Sequence, residues 1–141
     1  MALIEVANTS CTVSHSSGSS TSGGSFTFTT PPSPNVQAEG GGVYRGPTGV
    51  SFSGGNSTED FGGTGAITPG TVYGTATFTP SATKVSANGS MVLREGDSTT
   101  FITLFGTFVP FAPPNTPVPN TPLPPTDIEI SDAGQTSVRG E

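Results

Sequence analysis

Two side chains in this sequence have the chemistry to hold a soft metal ion, Cys11 and His15, four positions apart. A thiolate and an imidazole are good donors for zinc or iron, but a four-coordinate site needs more donors. Asp60, Asp97 and Asp132 are the carboxylates that folding could bring to them. Arg45 and Arg94 are two of only four cations, and Glu39, Glu95 or Asp97 are their expected partners in exposed pairs. The same three acids would be the pair of a glycosidase only if a scaffold fixed their separation, and no feature of the sequence does so. A Ser-His-Asp triad would rest on His15, which borders a Ser/Gly run with nothing to hold it rigid. The Gly-rich stretches lack the lysine and following helix of a phosphate-binding loop. The reading is therefore of a protein that is not an enzyme.

Any element that positions these residues must come from an unusual composition. Of 141 residues only 30% are hydrophobic and 10% charged, with 20 Gly, 14 Pro and one Cys. One cysteine allows no intrachain disulfide. So much Gly and Pro can mean disorder, but nine Phe, two Tyr and abundant Val and Thr favour an ordered β-protein. A core this small implies support from a partner, a metal or oligomerisation. The net charge of −6 offers no footprint for nucleic acid or for an anionic membrane. The most apolar stretch, residues 100–112, is too short and threonine-rich for stable membrane insertion. The start carries no basic, apolar leader pattern, so synthesis in a cytoplasm is expected.

Along the chain, residues 3–6 and 12–13 read as short strands and 14–24 as a flexible Ser/Gly loop. Residues 25–29 alternate polar and apolar, a period-two strand. Residues 54–70 read as a Gly-rich connection. Strands are expected over 71–78 and 100–108, with a hairpin over 85–97 turning at Asn88-Gly89. Residues 110–126 form a Pro-rich extended arm. Residues 127–141 form a terminal strand and turn. No window has a sustained helical period, and proline and glycine are spread too evenly for a helix.

The pattern T-P-x-x-x-x-V-x-A-x-G-x-x-V-x-R occurs twice without a gap, over residues 30–45 and 79–94. Val and Ala two apart share one strand face, and Gly two later permits a positive-φ turn. Each unit thus reads as a β-hairpin whose apolar face is too thin to be stable alone, so the copies must pack together.

The second unit, Val85-Ser86-Ala87-Asn88-Gly89 with Val92-Leu93-Arg94-Glu95-Gly96-Asp97, resembles the PAAR-like spike-tip proteins of contractile injection systems. The likeness covers residues 26–109 and is weaker in the first unit, where Gly46-Pro47-Thr48 follows Arg45. The literal Pro-Ala-Ala-Arg motif is absent. The resemblance implies an all-β fold: a small compact cone of repeated hairpins with Gly/Ser-rich loops, in a tip domain over residues 1–109 with units at about 26–50 and 75–99. It implies a structural role, capping and sharpening the trimeric β-helical spike of a type VI secretion system, contractile phage tail or extracellular injection particle, for envelope piercing. The partner would be that spike, one copy per trimer, with an effector or cargo as a further partner. The protein would sit in a spike or baseplate and be exposed on or after firing. Family members often bind zinc near the apex, which brings Cys11 and His15 forward as ligands of one zinc or iron ion. The alternative reading is a small β-rich surface or fibre binding module, adhesin-like.

Overall fold

The computed structural model describes residues 3–141; the first two residues of the expected 1–109 unit lie outside them. No helix occurs among the described residues. The strands are β1 (Ile4–Glu5), β2 (Thr12–His15), β3 (Thr21–Phe28), β4 (Gln37–Ala38), β5 (Gly41–Gly42), β6 (Thr48–Ser57), β7 (Gly65–Ile67), β8 (Val72–Phe78), β9 (Ser86–Ala87), β10 (Ser90–Met91), β11 (Ser98–Thr100), β12 (Thr103–Pro110), β13 (Val118–Pro122), β14 (Asp127–Asp132) and β15 (Arg139–Gly140). All-β is thus the fold class, as the spread of Pro and Gly requires.

Two sheets make the body. One has the order β13-β12-β8-β6-β3, with β7 also on β12; the other has the order β11-β14-β2. Every pairing is antiparallel. Only Phe101 and Ile102 separate β11 from β12, so the two sheets run on from each other along one stretch of chain. The Ile102 N–H donates to Thr75 O on β8 and the Phe101 N–H to Thr126 O beside β14. Strand β8 shows how sequence makes this layer: Val72, Gly74, Ala76 and Phe78 are buried while Tyr73 and Thr75 face out. The inward residues meet in a core that includes Phe52, Phe78, Leu93, Phe101, Ile128 and Ile130.

The other junction of the two sheets is a seam. β2 and β3 are consecutive and joined by residues 16–20, yet they form no ladder. The seam is crossed by His15, whose Nε2 lies 2.9 Å from Gly23 O.

The expectations for two segments need correction. The Ser/Gly run over 14–24 is not a loop throughout: Ser14 and His15 end β2, and Thr21 already begins β3. Gly24 belongs in β3 because the backbone is close there; a Cβ on it would lie 2.6 Å from both Ser53 O and the Phe52 ring. The Pro-rich tract is not a free arm, since Val118–Pro122 pairs with β12 and Leu123 is buried in the core. Pro119 and Pro122 are tolerated because β13 is an edge strand, where an absent N–H leaves no ladder position empty. The final segment is woven into the body: β14 lies between β11 and β2, and β15 pairs with β1.

Candidate functional site

At one end of these strands, three short pairings come together. β4 with β5 and β9 with β10 are hairpins in the same register, Ala38↔Gly41 and Ala87↔Ser90. Their turns share a backbone: Glu39 and Asn88 both have φ 48°, followed by Gly40 at 83° and Gly89 at 85°. Two positive φ values in a row give the turn twist that suits a tight hairpin. The third pairing joins β15 to β1 in the matching register, Gly140↔Ile4 and Arg139↔Glu5. It is assembled from opposite ends of the chain. In all three a valine leaves the hairpin and its N–H donates back to the valine that entered: Val43 to Val36 O, Val92 to Val85 O, Val6 to Val138 O, at 3.1, 3.2 and 3.0 Å.

The segments that leave the three units close a ring. The Ala7 N–H donates to Leu93 O, the Leu93 N–H to Tyr44 O, and the Tyr44 N–H to Ala7 O, at 2.9, 2.9 and 3.2 Å. Antiparallel bridges flank it in the same cyclic order, Val6↔Arg94, Arg45↔Val92 and Asn8↔Val43. A second ring comes from side chains one residue on. Asn8 Nδ2 donates to Ala38 O, Arg45 Nη1 to Asn88 O and Arg94 Nη1 to Gly140 O. A third comes from the turns. The Glu39 carboxylate accepts the N–H groups of Thr136 and Ser137; Asn88 binds Asn35 and Ser33; Glu141 O accepts N–H groups from Thr83, Lys84 and Val85. The backbone ring is three-fold in its connectivity, and the side-chain contacts follow it loosely. Arg45 reaches Asn88 O, one residue past the Ala87 that matches Ala38 and Gly140, and the third turn uses the Glu141 carbonyl in place of a side chain.

Small side chains make this approach feasible. Val6, Val43, Val92, Ala38, Ala82 and Ala87 form a core separate from that of the body. Gly140 stands where the other units have Ala38 and Ala87, and a Cβ there would strike the Val85 side chain. Asp97, buried, accepts the Arg94 N–H at 2.9 Å and the Ser81 hydroxyl. The hub is thus stiff by construction: three hydrogen-bonded units and no loop longer than a turn within each hairpin.

The residues expected to do chemistry have structural work here. Cys11 and His15 lie along one extended stretch with Val13 between them on the same face. Four residues of strand span roughly 13 Å, whereas two donors of one ion sit within about 4 Å of each other. The pair therefore does not converge, and among the described residues no group of three His, Cys, Asp or Glu side chains is placed to hold a metal. The Cys11 thiol is pushed up to about 12, chiefly by burial and also by the Asp132 charge, against the favourable backbone hydrogen bond it receives. It is a packed thiol rather than a ready thiolate. The His15 ring packs against Phe26 and Phe52 at 5.2 and 5.0 Å, and its Nδ1 is buried without a partner.

Arg45 and Arg94 make no ion pair among the described residues; those found are Lys84–Glu141 and Arg139–Glu5. Both arginines reach carbonyl oxygens across the hub instead. Glu95 accepts the Ala133 N–H at 3.1 Å. The Glu39 carboxyl is held below its ordinary value by the Thr136 and Ser137 N–H groups. What sequence reading missed is the third unit. Its traces are Val138-Arg139-Gly140, in place of Val-x-Ala, and Val6, which matches Val43 and Val92.

Fold and hub together define a class: an all-β chain whose strands converge on a three-part hub. Comparison with protein families, with curated proteins and with solved structures found no match to this chain.

Proposed function

We propose that this chain is a rigid tip that caps a three-fold partner, in the manner of the PAAR-like cap on the trimeric spike of a contractile injection machine. The observation that carries the reading is the closed backbone ring of Ala7, Leu93 and Tyr44, built by three units of one chain. A single chain seated on a homotrimer must offer like surfaces to three identical subunits, and internal three-fold connectivity is how one polypeptide does so. The strands that leave the hub end in the connections 16–20, 58–64 and 111–117, at the opposite end of the body, and these are the proposed base. The hub end is then the apex. The small apolar core of Val6, Ala38, Val43, Ala82, Ala87 and Val92 lets the chain segments converge there. The work done is mechanical: sharpening the spike and piercing an envelope, with no catalytic step.

The test is native mass spectrometry of the chain purified with a trimeric β-helical spike. One copy per trimer, lost when the 16–20 and 111–117 connections are replaced together, is the expected result. A free monomer with no affinity for such a spike would overturn the proposal.

A second reading, a surface or fibre binding module, is favoured by one feature. The outer sheet face carries a charge-free cross-strand row, Thr27, Ser51, Thr75 and Thr103, in register with one another. Glycan binding by the isolated chain, abolished by changing Thr75 and Thr103, would select it.

A further inference from the structure

The two arginines that sequence places in matching positions have unlike surroundings. Arg94 Nη2 donates to Ser81 Oγ at 2.9 Å, and that hydroxyl donates in turn to the Asp97 carboxylate. In the first unit both partners are absent: Pro32 stands where Ser81 stands, and Thr48 where Asp97 stands. Arg45 keeps one protein acceptor, Asn88 O at 3.1 Å. A guanidinium has five N–H donors, so most of its capacity points elsewhere. It borders an open groove of about 530 Å³ whose other walls include Pro31, Pro32, Pro34, Pro47 and Ser90. Prolines carry no N–H, and no acidic residue lines the groove. Arg45 is its sole charge.

We propose that this groove, between the first and second hairpin units, binds a carboxylate-bearing extended peptide segment, with Arg45 taking the carboxylate. The second unit supplies its own acid; the first leaves the place for one from a partner. A planar guanidinium pairs a carboxylate with two parallel hydrogen bonds, stronger than those to a neutral carbonyl. The proline rings give a rigid apolar track for the residues on either side of the carboxylate. The site is independent of the cap reading: it lies on the flank beside the hub, away from the proposed base.

The experiment uses the full chain, labelled with ¹⁵N, titrated with the peptide acetyl-Pro-Glu-Pro-amide and with its Gln counterpart. The Glu peptide is expected to shift the amides of Gly46 and Ser90 and to bind at least tenfold more tightly than the Gln peptide. Arg45→Gln should remove that preference, and Arg45→Lys, which keeps the charge but not the fork, should retain a reduced one. The amides of Ala7, Tyr44 and Leu93 report in the same spectra that the hub is intact. Equal binding of the two peptides, a preference that survives in folded Arg45→Gln, or shifts confined to other surfaces would each overturn the proposal. Should Arg45→Gln fail to fold, an undiminished or absent preference in Arg45→Lys overturns it in the same way.

Discussion

Truncating Val6 to alanine probes the hub where it is most exposed to refutation. Val6 belongs to the third unit, the one that no gap-free sequence repeat announces. Yet it is buried to 2% exposure in the same small core as Val43 and Val92. Removing two methyl groups from such a site forfeits about 1.6 kcal/mol of transfer free energy. The cavity left behind adds to this, because rings of hydrogen bonds prevent the hub from collapsing onto it, for a total of about 2 kcal/mol. The same change at Val43 or Val92 should cost about the same, since all three occupy one position in the three units. Val118, half exposed on the edge strand, serves as the control and should change stability by less than about 0.5 kcal/mol. Urea unfolding reads each value from the midpoint at constant slope, and thermal melts should fall by roughly 4–8 °C for the hub variants. A loss below about 0.5 kcal/mol for Val6→Ala beside losses near 2 kcal/mol for the other two would refute the reasoning, because the third unit would then be dispensable.

Other outcomes follow from particular side chains. His15→Phe should keep the packing on Phe26 and Phe52 and stay within about 1 kcal/mol of the parent, whereas His15→Ala should lose about 2–3 kcal/mol, both read by urea unfolding. Cys11 should react slowly with a thiol reagent at neutral pH in the folded chain and quickly once unfolded. Its folded pKa of about 12 lies above the ordinary 9.0, so the unfolded chain ionises first and stability should fall as pH rises from about 9 to about 12; Cys11→Ala should remove that slope. Glu39 shows the opposite sign: its lowered pKa means the Glu39 contribution is present above the ordinary value of 4.5 and is lost as pH falls below it, a dependence absent from Glu39→Gln. Gly134→Ala should destabilise by more than about 2 kcal/mol, because φ is 84° and a Cβ would lie 2.6 Å from Cys11 N; Gly62→Ala, with φ 75° and open space, should cost about 1 kcal/mol.

The sequence made the all-β class legible because Pro and Gly are spread along it and because Thr alternates with Phe, Val and Ala over residues 25–29 and 71–78. Asn88-Gly89 announced its turn for the same reason that it forms one: both residues accept positive φ. The third unit was not legible, because its entering strand is Arg139–Gly140 and its leaving strand Ile4–Glu5. A search for a gap-free pattern has no way to join two ends of a chain. Its alanine is also gone, displaced by contact with Val85. The arm over 110–126 was misread because proline argues against a strand only where both edges are paired. The metal pair was suggested by two good donors, but period-two strand geometry sets them roughly 13 Å apart. The arginines were given carboxylates because charge is scarce; carbonyl oxygens, invisible to composition, took that place.

Amide hydrogen exchange at Ala7, Tyr44 and Leu93 tests the three-part hub most directly. Each N–H closes one side of the ring, and each residue is buried. The three should exchange slowly, with protection that falls together when any one of Val6, Val43 or Val92 is truncated, as members of one cooperative unit do. Rapid exchange at Ala7 beside slow exchange at Tyr44 and Leu93 would mean an open ring and two units where the hub needs three.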